Sequence, residues 1–333
     1  MWVQRPRLRK KGQGQEGEVA IPAYEAMQRD RKLGSWMLEI LLRGVSTRQY
    51  RAVLPEMAET VGVSRPSVSR EAIEASEEEL ECLCARRFDA VDLLIIYLDG
   101  VIFGEHHVSV AVGVDAEGPK HVLGLAEGAS ENRVVAQGLL EDLVRRRVQP
   151  GRRHLFVIDG SKALRAAMGG VFGEDNPVQR CRHHKIENVT GYLPKHLKDQ
   201  VKAAMRAAYR LGAEEGIARL EKQAEWLECE YPDAAASLRE GLAEMFTVNR
   251  LGLSPSLARC LVSTKVIESP HGGVRLRTRR VCRWRDGKMV LRWAAAALLM
   301  TEQSFRKIMG YRDLWMLKPA LDENQVPLEM EVA

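Results

Sequence analysis

Asp99 and Asp159 are the residues whose setting best suits chemistry. Each follows a short apolar run: Leu93-Leu94-Ile95-Ile96-Tyr97-Leu98 leads into Asp99-Gly100, and Leu155-Phe156-Val157-Ile158 leads into Asp159-Gly160. Runs of this length, bounded by turn residues, predict strands buried on both faces of a helix-covered sheet. The carboxyl end of such a strand is where the covering helices part and ligands enter. Two carboxylates there repel unless a divalent cation or a proton lies between them. Paired acids on neighbouring strand ends are how a two-metal phosphoryl-transfer site is built. A lone Asp-Gly at a strand end is as often only a turn. Two of them on adjacent parallel strands favour metal binding, with Mg²⁺ taking few carboxylates and drawing its other ligands from water and phosphate. A third acid is expected later in the chain, and spacing alone leaves Glu127, Glu131, Glu174, Asp175, Glu187 and Glu268 open.

Cys181 and His184 form a Cys-x-x-His half-site. Zinc needs four ligands, commonly from two such pairs, and no second pair is visible, so a structural role near the active site is the better reading. His183, His106 and His107 read as ordinary histidines. From Arg275 to Arg292 the chain carries Arg275, Arg277, Arg279, Arg280, Arg283, Arg285, Lys288 and Arg292 against one acid, Asp286. A charge run is usually a solvated face, but this single-sign run points to a phosphate backbone and a steep salt dependence. Trp226, Trp284 and Trp293 could stack on an extruded base, although core packing is the plainer reading for each.

These residues need elements to hold them. Val108 to Val114 alternates as a strand, Asp115-Ala116-Glu117-Gly118 reads as a turn, and His121 to Ala126 as a third strand. Glu131 to Val148 reads as a helix, Ser161 to Met168 as another, and Val178 to Cys181 as a short strand. A meander followed by a right-handed crossover sets the fourth strand parallel beside the first, which brings Asp99 next to Asp159. Gly191 to Cys260 carries no strand signal and predicts an all-helical insertion. In the N-terminal part, Ser46 to Tyr50 starts one helix, Leu54 to Val61 forms a second, and Gly62-Val63 makes a turn. Ser64 then caps a third helix with Pro66 in its first turn. That is a helix-turn-helix pattern, with Arg65, Ser67 and Arg70 at the start of the groove-entering helix; a plain helical hairpin is the alternative. Glu71 to Glu81 reads as a solvated linker helix. The expected layout is a disordered basic tail (1–22), a helical DNA-binding region (23–82), a first core part (90–190), the helical insertion (191–262), a last core part (263–316) and a tail (317–333).

The net charge of +5 over 333 residues leans toward a polyanionic partner. No apolar run approaches the roughly 20 residues needed to span a bilayer, and the N-terminus lacks the apolar core of a secretory signal. Six scattered cysteines do not resemble a secreted disulfide framework. A reduced cytoplasmic protein is expected.

Four segments in order resemble bacterial insertion-sequence transposases of the Mutator type: Tyr97-Leu98-Asp99-Gly100, Val157-Ile158-Asp159-Gly160, Gln179-Arg180-Cys181-Arg182-His183-His184-Lys185, and Ser263-Thr264-Lys265-Val266-Ile267-Glu268-Ser269. Arg283-Trp284-Arg285-Asp286-Gly287-Lys288-Met289 is similar to the same family, and the resemblance runs from about Ser46 to Asp313. It implies an α/β, RNase H-like catalytic core interrupted by the helical insertion, with the acidic triad on Asp99, Asp159 and Glu268 and Mg²⁺ (or Mn²⁺) as cofactor. It implies DNA partners, namely the element's terminal inverted repeats and target DNA, and a homodimer or larger assembly at the nucleoid. It also favours the helix-turn-helix. A related nuclease or resolvase, or a non-catalytic DNA-binding derivative, are the rival readings. The N-terminal part looks shorter than is usual in the family, and Ser269-Pro270-His271-Gly272-Gly273 departs from its pattern. Pro270 is expected to disfavour a helix interior beyond a first turn.

Overall fold

The computed structural model describes residues 8–9, 18–19, 32–45, 65–128 and 132–323. Five strands form the central sheet: β1 (Leu93–Phe103), β2 (His106–Asp115), β3 (Lys120–Gly128), β4 (Leu155–Ile158) and β5 (Val178–Arg180). Their order is β3-β2-β1-β4-β5. β1, β2 and β3 make an antiparallel meander, whereas β4 lies parallel to β1 and β5 parallel to β4. The β2–β3 turn is tight because Gly118 adopts a φ of 90° and the Asp115 carboxylate accepts the Glu117 N–H at 2.9 Å. This mixed sheet flanked by helices is consistent with an RNase H-like core.

Thirteen α-helices among the described residues surround the sheet or extend from it. They are α1 (Lys32–Leu42), α2 (Arg65–Ala85), α3 (Arg133–Arg145), α4 (Lys162–Phe172), α5 (Arg182–Gly191), α6 (Lys195–Ala208) and α7 (Ala213–Glu228). The later ones are α8 (Pro232–Arg239), α9 (Thr247–Arg250), α10 (Pro255–Leu261), α11 (Lys265–Thr278), α12 (Gly287–Glu302) and α13 (Leu317–Glu323). None is long and apolar enough to cross a membrane.

Strand alternation divides the interior in two. Ile96, Leu98, Phe156 and Ile158 point to a core shared with α3 and α4, through Leu139, Leu140, Leu143, Leu164 and Met168. Tyr97, Val101, Leu155 and Val157 point the other way, to a core shared with α11 and α12, through Ile267, Val274, Val290 and Leu298. The insertion has a third core of its own, built on Val189, Met205, Leu220, Leu238 and Phe246. No strand interrupts residues 191–262, as the lack of strand signal predicts.

Several expectations need correction. Asp99-Gly100 does not end its strand: β1 continues to Phe103 because β2 keeps pairing with it, Gly100 opposite Ser109 and Phe103 opposite His106. Arg65–Ala85 is one helix of 21 residues, with no break before Glu71. It is not simply solvated, because Ala72, Ala75, Ser76 and Leu83 form a buried stripe toward α1 and α12. The first two helices and the turn of the helix-turn-helix fall on residues 46–64, outside the described residues. The basic tail carries a two-residue antiparallel ladder in which Leu8 is registered with Val19 and Arg9 with Glu18. The C-terminal tail opens with α13, because Leu317 and Leu321, one turn apart, are both buried. Finally, α11 runs through Pro270 without ending, and Val266, Ile267, Pro270, His271 and Val274 are all buried there. A proline inside a helix costs about 3 kcal/mol, so it is tertiary burial that holds this helix together.

Candidate active site

Asp99 and Asp159 are brought together by backbone register alone. Leu98 is directly opposite Ile158 in the parallel pair, so the next residue on each chain is an aspartate. Alternation fixes their direction as well: each lies two residues beyond a side chain of the α11-facing core, Tyr97 and Val157. Asp99 is 8% exposed, and its Oδ1 accepts the Gly100 N–H at 2.9 Å. Asp159 is half-buried, and its Oδ1 accepts the Ser161 N–H at 2.9 Å. Burial holds the Asp159 carboxyl above the usual carboxylate range; the Ser161 N–H opposes this, and the Asp99 charge raises it further.

Glu268 arrives on α11, the helix that packs on this face of β1. It is half-buried, and its Oε1 accepts a hydrogen bond from Thr264 Oγ1 at 3.2 Å. Thr264 is the N-cap residue of α11 but makes no side-chain cap; its hydroxyl is turned toward Glu268 instead. One turn beyond Glu268, His271 points its Nδ1 at Asp99 Oδ2, 3.4 Å away. His271 is 2% exposed, and its Nε2 is buried without a hydrogen-bond partner.

The Cys-x-x-His pair lies in the same place. Cys181 is fully buried and His184 half-buried. Thr264 approaches both, with Oγ1 at 3.4 Å from Cys181 Sγ and 3.4 Å from His184 Nδ1. The hydrogen bond to Cys181 raises the His184 pKa to about 9 against the opposing effect of burial, with further support from the charges of Cys181, Asp99 and Asp159. Burial pushes the Cys181 thiol up, but hydrogen bonds from His184 and Thr264 outweigh it and leave the thiol below its ordinary value. Cys181 and His184 therefore favour each other's charged forms, the imidazole by its hydrogen bond to the sulfur and the thiol by its bonds to His184 and Thr264.

The intervening basic residues of the same segment point elsewhere. Arg180 Nε donates to Glu244 Oε2 at 2.6 Å and Arg180 Nη1 to the Gly160 carbonyl at 3.2 Å, joining the insertion to the loop after Asp159. The Arg182 guanidinium lies over the rings of Tyr209 and Phe246 and donates twice to the Met245 carbonyl, at 3.0 and 2.9 Å. Lys185 donates to the Ser237 and Glu240 carbonyls at 2.7 and 2.8 Å. Positions 181 and 184 thus serve the site, while 180, 182 and 185 fasten the insertion.

Two carboxylates whose charges oppose each other, on adjacent parallel strands, are an oxygen donor set that suits Mg²⁺. They fit an ion that completes its shell with water and phosphate. Among the described residues, no three His, Cys, Asp or Glu side chains are gathered tightly enough to hold a metal on their own. Glu268 belongs to the connected set through Thr264, not to one ready-made ligand group.

Residues 4–307 match the profile of the family described as Transposase, Mutator family. The chain belongs to that family. It is 25% identical over 316 residues to the transposase for insertion sequence element IS1081 of Mycobacterium tuberculosis, covering 91% of this chain and 74% of that protein. It is 27% identical over 314 residues to the transposase for ISRM5 of Rhizobium meliloti, covering 90% and 76%. The transposase for IS256 in transposon Tn4001 of Staphylococcus aureus is 24% identical over 281 residues, covering 79% and 68%.

In this Mutator-family chain the basic run after Glu268 is not uniform. Arg275, Arg279, Arg280, Arg283 and Arg285 are exposed, and Arg285 pairs with Asp286 at 2.8 Å. Arg277 is half-buried, its Nη1 on the Gly273 carbonyl, and its Nε is buried without a partner. Arg292 is buried and donates to Ser76 Oγ at 3.0 Å, so it braces α12 against α2. Arg70 is exposed on α2, where Arg65 and Ser67 form the first turn. Trp284 packs edge-on against Phe103 and Trp293, at 5.1 and 6.5 Å, while Trp226 on the insertion is exposed. His106 Nδ1 is in hydrogen-bond contact with Glu127 Oε1 at 2.6 Å, which accounts for both residues structurally. Thr264 and His271 join the site without having been singled out from the sequence. Only Thr264 had a usable signal, a helix-capping residue type four positions before the acid.

Proposed function

We propose that this chain is a metal-dependent DNA transposase that cuts at its element's ends and joins the freed 3′ ends to target DNA. The observation that supports it most is the opposed pair Asp99–Asp159, level on adjacent parallel strands, in a chain of the Mutator family. Asp99 and Asp159 would hold Mg²⁺ or Mn²⁺, and Glu268 would complete the set. A divalent cation bound there supplies the lowered pKa of an attacking water or 3′-hydroxyl and the charge that stabilises a leaving 3′-oxygen. The chain's own groups orient the carboxylates: the Gly100 and Ser161 N–H groups hold one oxygen of each aspartate, and His271 faces the other oxygen of Asp99. No side chain is required as a covalent nucleophile, so cutting and joining use one site in succession.

The exposed arginines at 275, 279, 280, 283 and 285 are assigned to phosphates of the terminal or target duplex. Arg65, Ser67 and Arg70 are assigned to recognition of the terminal repeats, with two or more copies holding paired ends at the nucleoid. The test is strand transfer with a pre-cleaved element end. Wild-type chain joins the end in Mg²⁺; Asp99→Asn binds the same DNA but neither cuts nor joins. Joining by Asp99→Asn removes the proposed site. Cutting without joining by the wild type makes it a nuclease or resolvase, and binding alone makes it a non-catalytic derivative.

A further inference from the structure

Thr264 stands between the Cys-x-x-His pair and Glu268, within polar contact of all three side chains. It is completely buried, so water cannot take the place of its hydroxyl. Its Oγ1 has three polar neighbours: Glu268 Oε1 at 3.2 Å, His184 Nδ1 at 3.4 Å and Cys181 Sγ at 3.4 Å. Its backbone N–H also points at Cys181 Sγ, 3.4 Å away. A hydroxyl has one proton to give and two lone pairs. The Glu268 carboxylate can only accept, so the proton goes there, and a lone pair receives the N–H at His184 Nδ1. The sulfur keeps the Thr264 backbone N–H as a donor beside its hydrogen bonds with His184.

We propose that Thr264 is a positioning residue for Glu268: its hydroxyl ties the carboxylate of α11 to His184 and so sets where the third acid stands relative to Asp99 and Asp159. This rests on the reading that Glu268 completes the acidic site. The link explains why an imidazole belongs beside acids it does not itself touch by hydrogen bond. It also explains why the N-cap hydroxyl of a 14-residue helix is spent on a side chain rather than on the helix. Without the link, the Glu268 side chain has its rotamers to choose among, and groups that orient ligand side chains typically matter 10–100-fold to metal affinity or rate.

The test compares Thr264→Val, which keeps the shape and loses the hydroxyl, with Thr264→Ser, which keeps the hydroxyl and loses a methyl. Mn²⁺ binding to the full chain is followed by electron paramagnetic resonance, and cutting is followed on a duplex carrying the element's own end. The expected result is a Mn²⁺ midpoint raised about 10–100-fold in Thr264→Val, with Thr264→Ser close to wild type. In the Glu268→Gln background, adding Thr264→Val is expected to change nothing further. If Thr264→Val does not fold, Thr264→Ala carries the same comparison. Wild-type Mn²⁺ binding and cutting by the valine variant, or impairment confined to the serine variant, overturns the proposal and leaves Thr264 a packing residue. Asp99→Asn run alongside separates the two levels: undiminished Mn²⁺ binding there removes the acidic site itself, and the role of Thr264 with it.

Discussion

The two halves of the proposed acidic site are held by different kinds of structure. Asp99 and Asp159 sit on neighbouring strands whose pairing leaves no freedom in their relative height, since Leu98 is opposite Ile158 and each aspartate follows. Glu268 sits on a helix that crosses the sheet face and is steered by one hydroxyl contact. A strand register is an all-or-none property, because a one-residue slip of either strand would turn its aspartate into the opposite core. A helix-borne side chain can be displaced by small shifts of the helix and by its own rotamers. The aspartate half should therefore be costly to perturb and rigid, and the glutamate half adjustable. The sharpest way to break this contrast is to change the aspartate half without changing its backbone.

Asp159→Asn does so, and it should move activity and stability in opposite directions. Burial and the charge of Asp99 raise the folded-state pKa of Asp159 above its unfolded value. The sign follows from linkage: the folded chain binds the proton more tightly, so the contribution of this group is most favourable below the unfolded pKa. It declines as pH rises through the folded value, and at neutral pH the ionised group works against folding. Asparagine removes the charge and can keep the acceptor oxygen for the Ser161 N–H. The expected outcome at neutral pH is loss of cutting and joining together with a higher melting temperature than wild type. A variant less stable than wild type at neutral pH would mean that the two acids are not opposed in the free protein.

A milder change tests the adjustable half. Cys181→Ser removes the sulfur whose hydrogen bond is the largest cause of the upward shift of His184. Followed by ring NMR signals, the His184 midpoint should lie at about 9 in the parent chain and fall toward the ordinary value of about 6.5 in the variant. The linkage sign agrees: a raised histidine pKa contributes stability that is complete below its unfolded value and lost as pH rises through about 9. Wild type should therefore lose stability in alkaline solution more steeply than Cys181→Ser. A midpoint that stays near 9 in the variant would place the cause with Asp99 and Asp159 instead.

The same contrast accounts for what could be read from the residues alone. Continuous apolar runs and a period of two are local signals, so the five strands, the place of β4 beside β1 and the meeting of the aspartates were legible in advance, whereas the place of β5 beside β4 was not. Where β1 stops was not, because Gly100 to Phe103 is strand only by virtue of its partner, and pairing is a non-local fact. The continuation of α11 through Pro270 likewise depends on burial of its neighbours, which no propensity reveals. Gln179 to Lys185 was visible as one motif but not as two interleaved sets. Cys181 and His184 face the site, while Arg180, Arg182 and Lys185 grip Glu244, Met245, Ser237 and Glu240. Those partners lie more than 50 residues further on, where sequence spacing carries no information about contact.

The smallest expected effect concerns the arginine run, where the structure separates residues that their sequence makes look equivalent. Arg279 is exposed beyond the end of α11, and Arg277 is half-buried, with Nη1 on the Gly273 carbonyl. Burial lowers the Arg277 pKa, and the nearby Arg43 charge adds to this. A guanidinium turned into the protein releases no counterion from a duplex, whereas an exposed one that meets a phosphate does. Arg279→Ala should weaken binding to any duplex and reduce the slope of log affinity against log salt by about 1. Arg277→Ala should leave that slope unchanged and act on folding stability, through the packing of its aliphatic stem. Equal salt slopes for the two variants would mean that the run meets DNA as an undivided basic strip, and that the helix face in contact differs from the one exposed in the free chain.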